Sequence, residues 1–183
     1  MRITILTPLF PPDTTYSAEY TKELASRLSS KHDVTIVLYG HLPEKINSVH
    51  MECVDKRLSP IARAIGFLRA LQKIPPKQEL ILIQNGPSVE LPALIKFFFR
   101  KIPIILMKSD KPALKRTRSN LFQRFIHGIL EKKTVYVFAE KDPWPTEKPV
   151  IHPLKESPQI ALSIWEMSWQ RHLNELLTKN KHD

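Results

Sequence analysis

The chain has 183 residues, 42% hydrophobic and 25% charged, with 16 prolines and 4 glycines, enough for one ordinary domain with a full core and short for two. Its single cysteine, Cys53, excludes an intrachain disulfide and fits a reducing compartment, and no apolar run reaches the roughly 20 residues of a membrane-spanning helix. A formal net charge of +10 directs attention to anionic partners: nucleic acid, anionic lipid or phosphorylated small molecules.

The chain opens with a β-rich run, Arg2–Thr7 (RITILT), broken by prolines and lacking the small-residue cleavage site of a signal peptide, so the expected location is cytoplasmic. A turn-forming loop, Pro8–Tyr16, leads into an amphipathic helix over Ser17–Ser30 with Ser17 as its N-cap. Val34–Tyr39 (VTIVLY) is a second strand and Val49–Val54 a third, in which Cys53 is expected to be a buried strand residue. Ser59-Pro60 starts a helix with Ile61, Ala64, Ile65, Leu68 and Leu71 at core-facing spacing, and Pro75-Pro76 ends it. Glu79–Gln84 is a fourth strand, Asn85-Gly86-Pro87 a turn, and Ser88 a candidate cap for a helix over Val89–Arg100.

Pro103–Lys108 is a fifth strand, followed by a basic helical stretch from Pro112 to about Leu130 and a sixth strand, Thr134–Ala139. The proline-rich Asp142–Lys155 reads as loop with a short extended piece at Val150-Ile151, and Ser157-Pro158 opens a last helix, Gln159–Thr178. Near-continuous apolar strands alternating with helices predict a single Rossmann-like α/β domain over residues 1–183. Its sheet is mostly parallel, of about six or seven strands, with helices on both faces and residues 157–183 closing back on it.

Ligands of such sheets sit outside the carboxyl ends of the strands. The loops after strands one, four and five are therefore the candidate substrate site: Pro12, Asp13, Thr14, Thr15, Tyr16 and Ser17; Asn85, Gly86 and Ser88; Lys108, Ser109, Asp110 and Lys111. Lys108 and Lys111 could neutralise a phosphate there. No G-x-G-x-x-G, no Walker lysine loop, no H-E-x-x-H and no cysteine–histidine metal spacing is present, and none of the seven histidines forms an i, i+4 pair, so no metal is expected.

Charge is concentrated. Between Lys96 and Lys133 stand eleven bases against Asp110 and Glu131, which gives +9 of the total +10. Arg100, Lys101, Lys115, Arg116, Arg118 and Arg124 form the candidate membrane or anion patch, with Phe97, Phe98, Phe99, Phe122, Phe125 and Ile126 as apolar companions. The alternative is a solvated lysine-rich helix face, with aromatics such as Phe98 and Phe122 packing the core.

Phe10-Pro11-Pro12, then Leu24-Ala25, Leu28, His32 and Val34, resemble the opening of the amino-terminal domain of GT-B fold glycosyltransferases, particularly the large retaining family 4. Ile81–Pro87 (ILIQNGP), Lys101–Asp110 (KIPIILMKSD) and Thr134–Glu140 (TVYVFAE) resemble later strand-and-turn motifs of that domain. Ser163-Ile164-Trp165-Glu166 resembles the "sWe" helix that crosses back onto it. The resemblance implies an acceptor-side domain without the donor-binding second domain, binding no cofactor alone and using a nucleotide-sugar donor only when a separate donor-domain subunit supplies it.

On the same resemblance Asp110 is the candidate catalytic base or sugar ligand, with capping of the next helix as its structural alternative. Thr15-Tyr16 stand where the family has a glycine pair, Ser109 where it has a histidine, and Asn85 or Gln84 where it has another. The expectation is an acceptor-side or accessory subunit of a split glycosyltransferase for glycan or glycolipid synthesis, inactive alone and peripheral to an anionic membrane or taking a lipid-linked acceptor. The alternative is a catalytically silent binding or scaffold protein on the same fold. Nucleic-acid binding ranks third, because no RNA-binding or helix-turn-helix pattern accompanies the charge.

Overall fold

Strand β1 (Arg2–Thr7) is covered on both faces and forms the axis of the sheet. The structure is a computed structural model and describes residues 1–108, 115, 117, 119–139, 148–151 and 162–178. Around β1 stand β2 (Asp33–Gly40), β3 (Val49–Asp55), β4 (Leu80–Gln84), β5 (Ile104–Lys108), β6 (Tyr136–Ala139) and β7 (Val150–Ile151), in the order β3-β2-β1-β4-β5-β6-β7. Every pairing among them is parallel; Ile3 lies beside Val34 on one side and Leu80 on the other. This is a Rossmann-like α/β arrangement. The short extended piece at Val150-Ile151 is its seventh strand.

The order reverses at β1, and this dictates which face each helix covers. Crossovers between parallel strands keep one hand, so connections running outward on opposite sides of β1 lie on opposite faces. Helix α1 (Tyr16–Ser29) accordingly packs with Ile3, Ile5, Val34, Ile36, Leu80 and Met107. Helices α2 (Pro60–Lys73), α3 (Pro87–Phe97) and α4 (Leu121–Lys133) pack against the other face, where Leu6, Val37, Ile81, Ile83 and Leu106 meet Phe67, Ala93 and Leu130.

The closing helix, α5 (Leu162–Thr178), returns beside α1 and buries Trp169, His172 and Leu176. Arg27 of α1 clasps it. Its guanidinium makes two hydrogen bonds to Glu166, at 2.8 and 2.7 Å, and lies 4.6 Å from the ring centre of Trp165 and 5.1 Å from that of Trp169. A two-pronged ion pair combined with cation–π contact is among the more specific ways to hold one helix on another. Beneath it the Tyr20 hydroxyl and His172 Nε2 share a hydrogen bond of 2.6 Å among the rings of Phe138 and Trp169.

Several local expectations are corrected. The cap of α1 is Thr15, whose hydroxyl accepts from Ala18 N–H; Ser17 is buried inside the first turn. Helix α2 starts at Ser59-Pro60 and buries Leu71 as expected, but it also turns Phe67 and Ala70 inward, followed by Ile74, leaving Ile61 and Ile65 exposed. Helix α3 begins at Pro87 and is capped by Gly86, so Ser88 lies in its first turn. The expected basic helical stretch is interrupted at Asn120, which caps α4 at Leu121, while Lys115, Thr117 and Ser119 before it are helical as expected; residues 109–114, 116 and 118 lie outside the described residues, as does the Ser157-Pro158 start of the last helix. Cys53 is exposed, because β3 is the sheet's edge strand, and partial burial pushes its thiol up, away from the reactive thiolate.

Burial holds the His172 imidazole well down, at about 4 against an ordinary 6.5. A histidine depressed in the folded state contributes stability above its unfolded value that is lost as pH falls toward its folded one, here between about 6.5 and 4. Urea unfolding at pH 7 and pH 4.5 should therefore show a loss of up to roughly 3 kcal/mol from this group, largely absent in His172→Phe. Equal pH dependence in both proteins would contradict the burial of a neutral imidazole between α1 and α5.

Candidate functional site

Because β1, β4 and β5 are consecutive and parallel in the sheet, their carboxyl ends lie side by side at one edge. The Thr7 hydroxyl accepts from the Leu9 amide at 3.1 Å and hydrogen-bonds the Gln84 carboxamide, joining the ends of β1 and β4. Asn85 N–H donates to the Met107 carbonyl at 2.9 Å, joining β4 to β5. Gly86 packs against Pro8 in a backbone conformation (φ 156°) that a side chain would strain, and a Cβ there would sit 3.4 Å from the proline ring.

The proline loop is built as a cover. Buried Phe10 anchors it, and the Asp13 carboxylate accepts from Phe10 N–H at 3.3 Å while pairing with Lys56 beyond β3. Asp13 is thereby committed to holding the loop. Pro12, Thr14, Thr15 and Tyr16 remain exposed along it, whereas Ser17, Asn85 and Gly86 are buried and Ser88 is exposed beside them.

Lys108 is not at the edge. It shares the face of Ile104 and Leu106, so its side chain, fully buried, runs into the layer of α3 and α4 and donates to Glu131 Oε1 at 2.9 Å. Glu131 Oε2 lies 3.7 Å from His127 Nε2, and His127 Nδ1 lies 3.0 and 3.1 Å from the Glu90 carboxylate oxygens. Glu90 in turn accepts from Gly86 N–H at 3.0 Å. A chain of ionisable groups, buried apart from the partly exposed Glu131, thus runs from β5 through α4 to the turn after β4. The expected phosphate contact at Lys108 is replaced by a structural ion pair. Ser109, Asp110 and Lys111 lie outside the described residues.

A second polar group at this edge involves residues the sequence did not single out. Pro92 stands inside α3 and has no N–H, which leaves the Ser88 carbonyl four residues earlier without its helical donor. The Tyr39 hydroxyl fills the gap, donating to Ser88 O at 2.9 Å, while its ring stacks on Phe67 of α2 at 4.8 Å. Burial pushes the Tyr39 phenol up to about 12, with neighbouring Arg63 pulling in the other direction. Arg63, in the first turn of α2, is half-buried and its Nε is sealed from solvent with no hydrogen-bond partner. The spacing of Arg63 to Phe67, Ala70 and Ile74, which places it on the buried side of α2, was the available signal.

The anion patch lies on the helices under β5. Arg100, Lys101, Lys115 and Arg124 are exposed, as are Lys132 and Lys133; Arg116 and Arg118 lie outside the described residues. Phe98, Phe99, Leu121, Phe122 and Phe125 are exposed too, so the expected core packing of Phe98 and Phe122 does not hold; Phe97 alone of its triplet is buried. Leu121, Phe125 and Ile129, with Gly128 between them, line an outward groove of about 350 Å³ with Arg124 and Lys132 at its sides. A larger polar groove, about 610 Å³, runs between α1 and α5 past Lys31, His32 and Asn174, away from the carboxyl edge.

Comparison with known proteins leaves the family open. No protein-family model and no curated protein matches the chain. Among solved structures it is similar to UDP-GlcNAc 2-epimerase from Methanocaldococcus jannaschii (12% identity, TM-score 0.48), over 76% of this chain and 39% of that one. It is similar also to a second UDP-N-acetylglucosamine 2-epimerase (11% identity, TM-score 0.44), over 76% of this chain and 41% of that one. The chain therefore spans about two fifths of either protein. Likenesses of this strength decide neither family nor activity.

Lys108→Met should remove the lysine partner of the largely enclosed Glu131 and destabilise the protein in urea unfolding by about 3 kcal/mol. The double variant Lys108→Met/Glu131→Leu should recover most of that loss. A lysine reserved for substrate would instead leave stability unchanged when removed.

Proposed function

We propose that this chain is the acceptor-side half of a glycosyltransferase, working with a separate polypeptide that carries the nucleotide-sugar site. The observation that carries the reading is the clasp of the closing helix: Trp165 and Glu166, from the segment that resembles the returning helix of family 4 enzymes, are the residues that engage Arg27. The parallel sheet beneath it, with its reversal at β1, suits a domain whose ligands bind at the carboxyl edge. That edge is also unusually apolar where it meets solvent. Tyr16 opens α1, Leu42 follows β2, and Leu58 and Ile61 begin α2; Leu42 is 80% and Ile61 75% exposed. Apolar side chains gathered at one edge mark a docking surface, and a donor-side partner closing over the cleft would cover them.

In lysate from native cells deleted for this chain, transfer of radiolabelled sugar from nucleotide donors into glycan or glycolipid should fall. Purified wild-type chain should restore it, while giving no transfer alone, and Tyr16→Glu/Leu42→Glu should not. Unchanged transfer in the deleted lysate, or full rescue by the double variant, would count against the assignment.

A second reading concerns location. The ionisable residues described between Lys96 and Lys133 are all bases apart from Glu131 and His127, and Glu131 is engaged by buried Lys108. Exposed Leu121, Phe122 and Phe125 stand on the same helix as Arg124 and Lys132. Basic and apolar side chains on one helix favour the interface of an anionic bilayer, and an acceptor borne by lipid would be met there. Among the described residues no helix is long and apolar enough to cross a membrane. Co-sedimentation with phosphatidylglycerol vesicles should exceed that with phosphatidylcholine, and Phe122→Ser/Phe125→Ser should weaken it by about tenfold or more. Indifference to lipid charge at low salt would remove the reading.

A further inference from the structure

We infer that the chain carries a second, separate lipid anchor, the Phe98–Phe99 pair at the amino edge of the sheet, and that this pair and α4 together lay the α3–α4 layer along an anionic bilayer. Helix α3 follows β4 and precedes β5, so in a parallel sheet it ends at the amino edge, away from the carboxyl-edge loops. There Phe98 is 39% and Phe99 92% exposed, and Ile95, one turn earlier, is 58% exposed. Single exposed apolar side chains are ordinary, but three at i, i+3 and i+4 form a patch.

The pair is braced from two sides. Lys133, the last residue of α4, donates to the Phe98 carbonyl and stands 4.4 Å from the centre of its ring. The Phe98 and Phe99 rings meet edge to face, with centroids 4.8 Å apart. Arg100 donates to the Pro76 carbonyl at 2.9 Å, which ties the turn to the connection before β4. Side chains fixed in place before contact lose little freedom on insertion. Lys133 also sets the scale: Leu121, which opens the exposed apolar face of α4, lies twelve residues before it, about 18 Å along the helix. Two anchors that far apart fix how the molecule lies, which one anchor cannot do.

Charge and side-chain type together select the occupant. Residues 96–133 carry eleven bases against two acids. Lys77, Arg100, Lys101, Lys132 and Lys133 are exposed at this edge around the aromatic pair. A surface of that sign complements anionic headgroups. Nucleic acid would share the attraction, but its bases stack on open aromatic faces. Here Lys133 lies over the Phe98 ring, and the exposed apolar surface includes aliphatic Ile95 and Leu121, which a bilayer interface accepts. The inference rests on the lipid reading of α4 and adds to it a second contact and an orientation. With α3 and α4 against lipid, α1 and α5, on the opposite face of the sheet, turn toward water.

The test uses the full chain with Cys53→Ser and an environment-sensitive dye on one new cysteine: Phe99→Cys, Phe125→Cys, or Ser26→Cys on the exposed side of α1. With phosphatidylglycerol vesicles, the dyes at 99 and 125 should both shift to the blue and be quenched by bromine-bearing acyl chains, and the dye at 26 should do neither. In co-sedimentation, Phe98→Ser/Phe99→Ser should weaken binding by about tenfold. Combined with Phe122→Ser/Phe125→Ser it should weaken binding by about a hundredfold, because contacts at separate sites add. Insertion at 125 without insertion at 99 would overturn the inference and leave the lipid reading of α4 standing; insertion at neither would remove both. Unchanged vesicle binding by Phe98→Ser/Phe99→Ser, with or without a loss of single-stranded DNA binding, would overturn it as well.

Discussion

Burial of β1 on both faces is the constraint from which the rest of the architecture follows. With apolar side chains pointing both ways, the strand needs a helical layer above and another below. Growth of the sheet in both directions from β1, with one handedness of crossover, supplies those layers. The same reversal sends the connection after β1 to one face and the connection after β4 to the other, which is where ligands of such sheets generally sit. Fold and candidate site therefore have one cause: the place where the chain changes its direction of growth.

The helices on the two faces are secured by different chemistry. On one face, α5 is held to α1 by the Arg27–Glu166 pair, the contact of Arg27 with Trp165 and Trp169, the stacking of Tyr20 on Trp169 and the Tyr20–His172 hydrogen bond. On the other, α3, α4 and β5 share the buried chain of Glu90, His127, Glu131 and Lys108. Such ionic groups add little net stability over an apolar core, yet each is strongly destabilising to break singly.

The strands were legible in the sequence because each is a short apolar run bounded by proline, glycine or charge, and their expected bounds agree with the structure to within two residues. The faces of the helices were less so. In α2, Ile61, Ala64, Ile65 and Leu68 satisfy helical spacing with Leu71 as well as Phe67 and Ala70 do; only the position of the sheet decides between them. Lys108 looked like a site residue because it ends a strand. Its alternation with Ile104 and Leu106, and the acids Glu90 and Glu131 elsewhere in the chain, held the information that it turns inward. The Tyr39–Ser88 bond was illegible for another reason: it depends on a missing donor at Pro92, in a helix far from Tyr39 in sequence. General sheet geometry pointed to the carboxyl ends of β1, β4 and β5, and the strand order places those strand ends side by side.

The most direct test of a carboxyl edge that receives a partner is affinity purification of the tagged full chain from its native cell, with each co-purifying polypeptide assayed for nucleotide-sugar binding. The account predicts one stoichiometric polypeptide that binds a nucleotide sugar, lost when Leu58 and Ile61 at the edge are changed to Glu and kept when Phe99, far from it, is changed. Recovery of the chain alone under gentle conditions, or a partner that the edge variant still retains, would contradict it.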